Sequence, residues 1–315
     1  MNAALASLVL ALSVPQVAAQ STAPTSDTDV LSTDRDGHDR LTVGVRLGES
    51  AMFRFMIDTG SQNTVVSDAV VKQLALVPHD RATVIGVAGA VSVDMVEIDE
   101  IGLGRRTAYG IIAPVLQRAD IGADGILGLD SLQDQRVLLD FRRKVMLVGD
   151  ARALGGNSGF EIVVTARRRS GQLILTDAVI DGVHVDVVVD TGSDTTLGNR
   201  ALQRELGRRG RTSTQIQLTS VTGQQLTADI GYADQFRIHG LTINGVMLAF
   251  ADSPTFGRLG LEQRPAVFLG MREMRVFPRI AIDFKTRKVL FDLPDSDDPA
   301  YFGTGPDPAT KHSPQ

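Results

Sequence analysis

Two aspartates in this chain are placed to form an acid–base pair. Each begins the tetrapeptide Asp-Thr-Gly-Ser, at residues 58–61 and 190–193, and each follows a run typical of a buried strand. Two ionised carboxylates about 4 Å apart repel by about 4 kcal/mol at an effective dielectric near 20, so such a pair retains one proton. One member can then accept a proton while the other donates one. We therefore predict that Asp58 and Asp190 act together.

The similarity between the two regions extends beyond the tetrapeptide, which indicates a duplicated unit. Alternating apolar residues precede each Asp, over residues 53–57 and 183–189, and predict strands that bury one face. A single Asp-Thr-Gly-Ser is often only a turn after a strand, but the repeated flanking pattern favours a pair. Ser67 and Asn199 then stand as N-caps of short helices, which we predict to end near Leu74 and at Gly207.

A glycine-centred hairpin follows in both copies, over residues 84–91 and 218–225. An ordinary β-turn explains either sequence by itself. Their equivalent places relative to the two aspartates favour paired flaps over the site, suited to an extended peptide bound through its backbone. The residues predicted to form the substrate-binding flaps are Gly86, Ala88, Gly89, Thr222 and Gly223.

Each copy also ends in the same way. An apolar pair closes on glycine at residues 126–128 and 268–270, and an Asp-Phe hairpin follows at 137–148 and 280–291. These segments predict a supporting strand and a base hairpin in each half. The predicted boundaries are 40–150 for the first lobe, 151–159 for a glycine-rich linker and 160–295 for the second lobe.

The composition of the chain argues against several kinds of binding site. The chain has 315 residues, 43% of them hydrophobic and 22% charged, which is typical of a soluble protein with two compact domains. It has no cysteine, and its five histidines form no pair at metal-ligand spacing, so we expect neither metal nor cofactor. The net charge is −5, and the basic runs lack aromatic neighbours, which argues against nucleic acid as a partner.

The terminal segments differ from the two lobes. Residues 1–19 carry an apolar stretch followed by small residues, which predicts a signal peptide and a periplasmic or extracellular bacterial protein. The stretch is shorter than the roughly 20 residues that span a bilayer, so we expect no stable membrane span. Residues 20–39 and 296–315 lack hydrophobic periodicity, and we predict that both are disordered, with 20–39 alternatively a pro-segment. The acidic run within 34–39 lacks the ligand spacing of a calcium loop.

The repeated strand with Asp-Thr-Gly, flap hairpin and apolar-apolar-Gly strand resemble those of the aspartic proteases, over about residues 40–293. Short lobes, the absence of cysteine and the helix at 67–74 are similar to the retropepsin-like bacterial group, with two such units joined here in one chain. The resemblance implies an all-β, bilobal fold with a few short helices. Its two β-barrel-like lobes would be related by a pseudo-twofold axis, with the cleft between them. Because one chain supplies both aspartates, no dimer is required for catalysis.

The resemblance also implies an activity. The protein would be an aspartic endopeptidase that hydrolyses a peptide or protein substrate with a water activated between Asp58 and Asp190. The implied supporting residues lie in the two Asp loops: Thr59 and Thr191 lock the loops together, Gly60 and Gly192 permit the tight turn, and Ser61 and Ser193 hydrogen-bond the outer carboxylate oxygens. Such hydroxyls stabilise the ionised pair, so we predict best activity below neutral pH.

A second reading comes from another class of protein. The same scaffold could serve as a non-catalytic secreted module that binds peptides or envelope components. Both aspartates are intact, whereas a protein that had lost the activity would more naturally have lost one of them. The sequence does not specify the substrate side chains.

Overall fold

The computed structural model describes residues 28–37, 40–132, 134–207, 214–239 and 241–293. Within these ranges the chain forms 21 strands and six short helices. The predicted all-β, two-lobed fold is confirmed. The predicted signal peptide and the predicted disordered tail lie outside the described residues. No helix in the described ranges is both long and apolar enough to cross a membrane.

Ten strands and three helices precede the linker. They are β1 (Asp29–Arg35), β2 (Leu41–Leu47), β3 (Met52–Ile57), β4 (Val65–Ser67), α1 (Asp68–Gln73), β5 (Asp80–Gly86), β6 (Gly89–Leu103), β7 (Arg106–Leu116), α2 (Arg118–Ile121), β8 (Gly125–Leu127), α3 (Leu129–Leu132), β9 (Arg136–Asp140) and β10 (Val145–Gly149).

The second lobe has eleven strands and three helices in the described ranges. They are β11 (Ile162–Thr165), β12 (Arg167–Arg169), β13 (Gln172–Ile180), β14 (Val183–Val189), β15 (Leu197–Gly198), α4 (Arg200–Gly207), β16 (Thr214–Thr219), β17 (Gln225–Ile238), β18 (Leu241–Phe250), α5 (Pro254–Arg258), β19 (Ala266–Leu269), α6 (Met271–Met274), β20 (Arg279–Asp283) and β21 (Lys288–Phe291).

Six strands of a larger sheet join the two lobes at their base, and we call them the base sheet. Its order is β11-β21-β20-β9-β10-β1, so each lobe contributes three strands. The central pair, β9 and β20, is antiparallel, with Leu138 opposite Ala281. The hairpins β9–β10 and β20–β21 contain the two Asp-Phe sequences, which places them at the base as predicted. The lobes therefore share backbone hydrogen bonds as well as packed side chains.

The first strand of that sheet corrects one expectation. Residues 29–35, within the segment predicted to be disordered, form β1 and pair with both β10 and β2. Only Asp29 and Thr33 of this strand are buried, so the sequence shows no apolar alternation to reveal it. Backbone hydrogen bonds to two neighbouring strands hold it instead. It pairs with the base hairpin of the first lobe as β11 pairs with that of the second, but it also continues into β2 of its own lobe.

The two strands that lead to the aspartates are built alike. Strand β3 runs parallel to β8, and β14 runs parallel to β19, so the apolar-Gly strands lie beside the Asp-bearing strands. Phe55 and Val187 are fully buried in these strands. Burial of a side chain of this size contributes about 1.5–3 kcal/mol, which keeps the ends of both strands in fixed positions.

The helices after the two motifs begin where the sequence predicts. The Ser67 side chain accepts a hydrogen bond from the backbone N–H of Val70 at 3.3 Å. Asn199 Oδ1 accepts from the N–H of Leu202 at 2.8 Å. Both predicted N-caps are confirmed, and each fixes the direction in which the chain leaves its Asp loop.

Candidate active site

The two Asp loops meet at the centre of the molecule. The N–H of Asp58 donates to the carbonyl oxygen of Leu127 at 3.1 Å, and the N–H of Asp190 donates to that of Leu269, also at 3.1 Å. Each supporting strand thus holds one aspartate, and the two carboxyl groups are adjacent: a Cβ on Gly60 would lie 2.7 Å from Asp190 Oδ1 and 3.1 Å from Asp58 Oδ1. The structure brings together the pair that the sequence singled out.

Reciprocal hydrogen bonds between two threonines join the loops. The N–H of Thr59 donates to Thr191 Oγ1 at 3.0 Å, and the N–H of Thr191 donates to Thr59 Oγ1 at 3.2 Å. The two hydroxyls donate onward across the interface, each at 2.8 Å, to the carbonyl oxygens of Val189 and Ile57. The cross-loop contact implied by the resemblance is present, and it fixes the separation of the carboxylates.

Each Asp loop requires glycine at its third position, because the carboxyl group of the other loop lies too close for a side chain there. A Cβ placed on Gly60 would lie 2.7 Å from Asp190 Oδ1. A Cβ placed on Gly192 would overlap the Asp58 carboxyl group even more closely. Each lobe therefore makes room, by having no side chain at this point, for the carboxyl group of the other.

The serines do not act as the resemblance implied. The Ser61 hydroxyl donates to the carbonyl oxygen of Asn63 at 2.8 Å, and the Ser193 hydroxyl donates to that of Thr195 at 2.8 Å. The prediction that these hydroxyls bond to the outer carboxylate oxygens is wrong in this structure, because the turn brings a nearer carbonyl over each hydroxyl. The two serines stabilise the loops locally.

The Asp58 carboxylate accepts two backbone N–H hydrogen bonds, and the Asp190 carboxylate accepts one. Asp58 Oδ1 accepts from the N–H groups of Gly60 at 2.8 Å and Ser61 at 3.0 Å, whereas Asp190 Oδ1 accepts from Gly192 at 3.0 Å. Burial raises the pKa of Asp58, and its two N–H donors oppose that rise. Burial and then the Asp58 charge hold the pKa of Asp190 well above its ordinary value. Asp190, which is 8% exposed, is the member that favours the proton.

A second carboxyl group lies behind each Asp loop. In the first lobe the Thr64 hydroxyl donates to Asp130 Oδ1 at 2.6 Å and accepts from the N–H of Gly128 at 3.2 Å. In the second lobe the Thr196 hydroxyl donates to Glu273 and accepts from the N–H of Gly270 at 3.0 Å. Each threonine thereby connects the segment after an Asp loop to its supporting strand. Sequence reasoning missed both carboxyl groups.

Glu273 makes the stability of the protein depend on pH. The residue is 4% exposed, and burial raises its pKa to about 7 from an ordinary 4.5. Folding therefore favours its protonated form, so this stabilisation is complete below pH 4.5 and is lost as the pH rises through about 7. We expect Glu273→Gln, which stays neutral, to unfold with a free energy roughly 3 kcal/mol higher than the parent at pH 8. Urea unfolding at pH 4, 6 and 8 measures this.

The control is Glu262→Gln, which changes an exposed carboxylate in the same lobe. It should leave the dependence of stability on pH as it is in the parent. Parallel pH profiles of stability for Glu273→Gln and the parent would contradict the assignment.

Loop glycines offer a steric test. We expect Gly192→Ala to lower kcat/KM for a cleaved peptide by at least about 100-fold, because the new methyl group displaces the Asp58 carboxyl group. Gly207→Ala is the matched control, since a Cβ there has no neighbour within 4 Å. Peptide hydrolysis and thermal unfolding of both variants separate lost alignment from lost folding. Full activity of Gly192→Ala would contradict the observed packing of the loops.

A cleft of about 370 Å³ lies over the two aspartates. Residues of both hairpins line it, from β5 to Val87 in the first lobe and from Thr219 to Thr222 in the second. Of the predicted flap residues, Gly86 and Thr222 line the cleft, and a Cβ on Gly86 would lie 2.8 Å from Ser220 Oγ of the other hairpin.

The remaining predicted flap residues lie at the tips of the hairpins. Ala88 is in the first turn, and a Cβ on Gly89 would lie 2.9 Å from the Gln224 side chain of the second hairpin. A Cβ on Gly223 would lie 2.5 Å from the Asp120 carboxylate of the first lobe. The hairpins therefore contact each other above the cleft.

Two buried residues beside the carboxyl pair escaped sequence reasoning. Arg40 pairs with Asp36 at 2.7 Å, and its charge lowers the pKa of both catalytic candidates. Gln172 donates from Nε2 to the carbonyl oxygen of Gly60, which links the second lobe to the first Asp loop. Both line the cleft, and each stands 18 positions before its Asp. Extending the alignment of the two copies that far back would have found them.

The described ranges contain no group of three or more acidic or histidine side chains placed to hold a metal ion.

Comparison with known families identifies the class of each half. Residues 43–134 match the family of gag-polyprotein aspartyl proteases, and residues 176–272 match a second family described as aspartyl protease. Both are retropepsin-like families, so the chain contains two retropepsin-like aspartyl protease domains in tandem. This confirms the resemblance recognised from the motifs. A search of curated proteins found no match.

Proposed function

We propose that the protein is an aspartic endopeptidase in which a water held between Asp58 and Asp190 attacks the scissile peptide carbonyl. The observation that carries the proposal is the adjacent pair of carboxyl groups, aligned by reciprocal threonine hydrogen bonds and lining a cleft. The aspartyl protease domains in both halves support peptidase chemistry in general.

The difference in backbone N–H donors assigns the roles of general base and general acid to the two aspartates. Asp58, with two backbone N–H groups on one oxygen, is the ionised member and takes a proton from the water. Asp190, whose pKa is raised further, is protonated and donates to the carbonyl oxygen of the substrate. The water oxygen bonds to the carbonyl carbon and gives a tetrahedral diol. Asp58 then passes its new proton to the amide nitrogen as the C–N bond breaks, and a diol hydroxyl returns a proton to Asp190 as it becomes the carboxyl group of the product. No covalent enzyme intermediate forms.

Incubation of the protein with a peptide library, analysed by mass spectrometry, tests the proposal. We expect cleavage by the parent and none by Asp58→Asn. The control is Asp68→Asn, which changes an exposed carboxylate on α1. Peptides that bind the parent but stay intact at every pH would support the non-catalytic binding module instead.

The dyad also predicts how activity depends on pH. The active form carries one proton, so activity falls at low pH as Asp58 gains a proton and at high pH as Asp190 loses one. Burial raises both pKa values, which moves both limbs of the profile upward from those of ordinary aspartates. We expect a bell-shaped profile of kcat/KM with a mildly acidic maximum. A maximum above pH 7 would contradict the assignment.

We also propose export of the protein, with cleavage before Gln20. Such cleavage leaves β1 (Asp29–Arg35) in the mature chain, where it pairs with both β10 and β2. N-terminal sequencing of the protein from the periplasm or medium of an expressing bacterium tests this. An intact residue 1 in protein recovered only from the cytoplasm would refute it.

A further inference from the structure

Opposite charges stand at equivalent positions in the two lobes. In the first lobe Asp120 precedes the buried Ile121 and Gly122, whose φ is +79°. In the second lobe Arg258 precedes the buried Leu259 and Gly260, whose φ is +57°. Both sequences end a short helix, and both helices, α2 and α5, lie between a long strand and the supporting strand of the lobe. Equivalent positions in the two lobes therefore hold an anion, Asp120, and a cation, Arg258.

Asp120 lines a second cavity of about 590 Å³, which shares Leu116 and Thr222 with the cleft. Asp68 and Asp94 also line this cavity, together with the cations Lys72 and Arg81, and Arg81 pairs with Asp94 at 3.5 Å. The carboxylate lies against Gly223 at the tip of the opposite hairpin. The nearby Arg118 pairs with Asp124 at 2.9 Å, so its charge is already balanced. Among the described residues, the Asp120 carboxylate has no cationic partner.

The second lobe carries cations at the corresponding place. Arg258 lines the cleft, is exposed, and has no anionic partner among the described residues. Its helix α5 packs against β5 of the opposite hairpin. A guanidinium nitrogen of Arg169 lies 2.7 Å from where a Cβ on Gly260 would be. A second exposed arginine therefore lies near the C-terminal end of α5, beside Arg258.

We propose that these charges give the nearly symmetrical cleft a direction, and that its substrates are extended peptides of matching polarity. An acidic side chain binds toward Arg258 and Arg169, and a basic side chain binds toward Asp120. A two-lobed cleft with equal ends would accept a peptide in both directions, whereas opposite end charges favour one of them and disfavour the other. The inference rests on the proposed peptidase function and specifies the substrate class.

Three peptides that share an apolar core test the inference. One carries Glu on the amino side and Lys on the carboxyl side of the scissile bond, the second carries them in reverse, and the third carries Gln at both positions. We expect the parent to cleave one charged peptide about tenfold more efficiently than the other. Reversing the peptide charges turns each attraction to Asp120, Arg258 or Arg169 into a repulsion, and these modest contributions add together. The preference should shrink in about 1 M salt.

The variant Asp120→Arg with Arg258→Asp should reverse the preference between the two charged peptides, measured as the ratio of their cleavage rates. The matched control is Asp177→Arg with Arg237→Asp, an exchange of two exposed charges that do not line the cleft. It should keep the preference of the parent. Equal cleavage of both charged peptides, or an unchanged preference in the Asp120/Arg258 exchange, overturns the inference.

Binding separates this inference from the proposed function. If no peptide is cleaved, the proposed function fails. The preferred direction of binding is still tested by fluorescence anisotropy, which measures the affinity of Asp58→Asn for each labelled charged peptide. We expect that variant to bind one charged peptide about tenfold more tightly than the other. Equal affinities, or no binding of either peptide, overturn the inference whatever the result for hydrolysis.

Discussion

Asp190→Asn should lose peptidase activity by about 10³-fold or more and, at neutral pH, unfold less readily than the parent. The asparagine is close in size but cannot donate a carboxylic proton to the substrate carbonyl. It also removes a buried carboxyl group whose pKa burial and the Asp58 charge hold well above the ordinary value. Loss of function and gain of stability in one variant is a result that simple misfolding does not produce.

The sign of the stability effect follows from proton linkage. A raised pKa in the folded state means that folding favours the protonated group, so stability falls as the pH rises from near 4 through the folded pKa. Asp190→Asn removes that fall, and we expect a higher free energy of unfolding than the parent at pH 7 and little change at pH 3. Urea unfolding at both pH values, beside peptide hydrolysis, measures the two effects. Asp177→Asn, at an exposed carboxylate of the same lobe, is the control. A variant less stable than the parent at pH 7 would contradict the assignment.

Arg136→Met should destabilise the fold by about 3–5 kcal/mol, because it leaves the Asp283 carboxylate buried without its partner. The two side chains are 2% and 1% exposed, and their ion pair at 2.9 Å joins β9 to β20 across the centre of the base sheet. Arg136 also donates to the carbonyl oxygen of Gly156 and to Asn157 Oδ1, so it ties the linker to that sheet. Thermal unfolding of the parent and the variant measures the effect.

A double variant separates the buried charge from the lost packing. Asp283→Asn keeps an oxygen for the N–H of Thr286, which donates to Asp283 Oδ1 at 2.7 Å, but it removes the charge. Arg136→Met with Asp283→Asn should therefore recover about half or more of the stability lost in Arg136→Met alone. Equal stability of the single and double variants would show that the buried charge is not the cause.

Many features of this protein could be predicted from residues that are close together in the sequence. The doubled Asp-Thr-Gly-Ser, the caps at Ser67 and Asn199 and the two Asp-Phe hairpins depend on residues close together in sequence, and the structure contains them where the pattern indicated. Strand β1 gave no such signal, since backbone pairing rather than an apolar face holds it. The partner of the Ser61 hydroxyl was misjudged for a related reason: the path of the turn decides which acceptor lies nearest.

The sequence by itself determined that two equivalent lobes each bring one aspartate, and hence that a dyad can form within one chain. Only the tertiary structure decided how the two halves differ. Burial and the Asp58 charge raise the pKa of Asp190 well above its ordinary value, whereas two backbone N–H donors oppose the rise at Asp58. Folding also places Asp120 against the tip of the second hairpin and Arg258 on the wall of the cleft. Electrostatic differences of this kind depend on distance and desolvation between residues far apart in the chain, and a duplicated pattern contains neither.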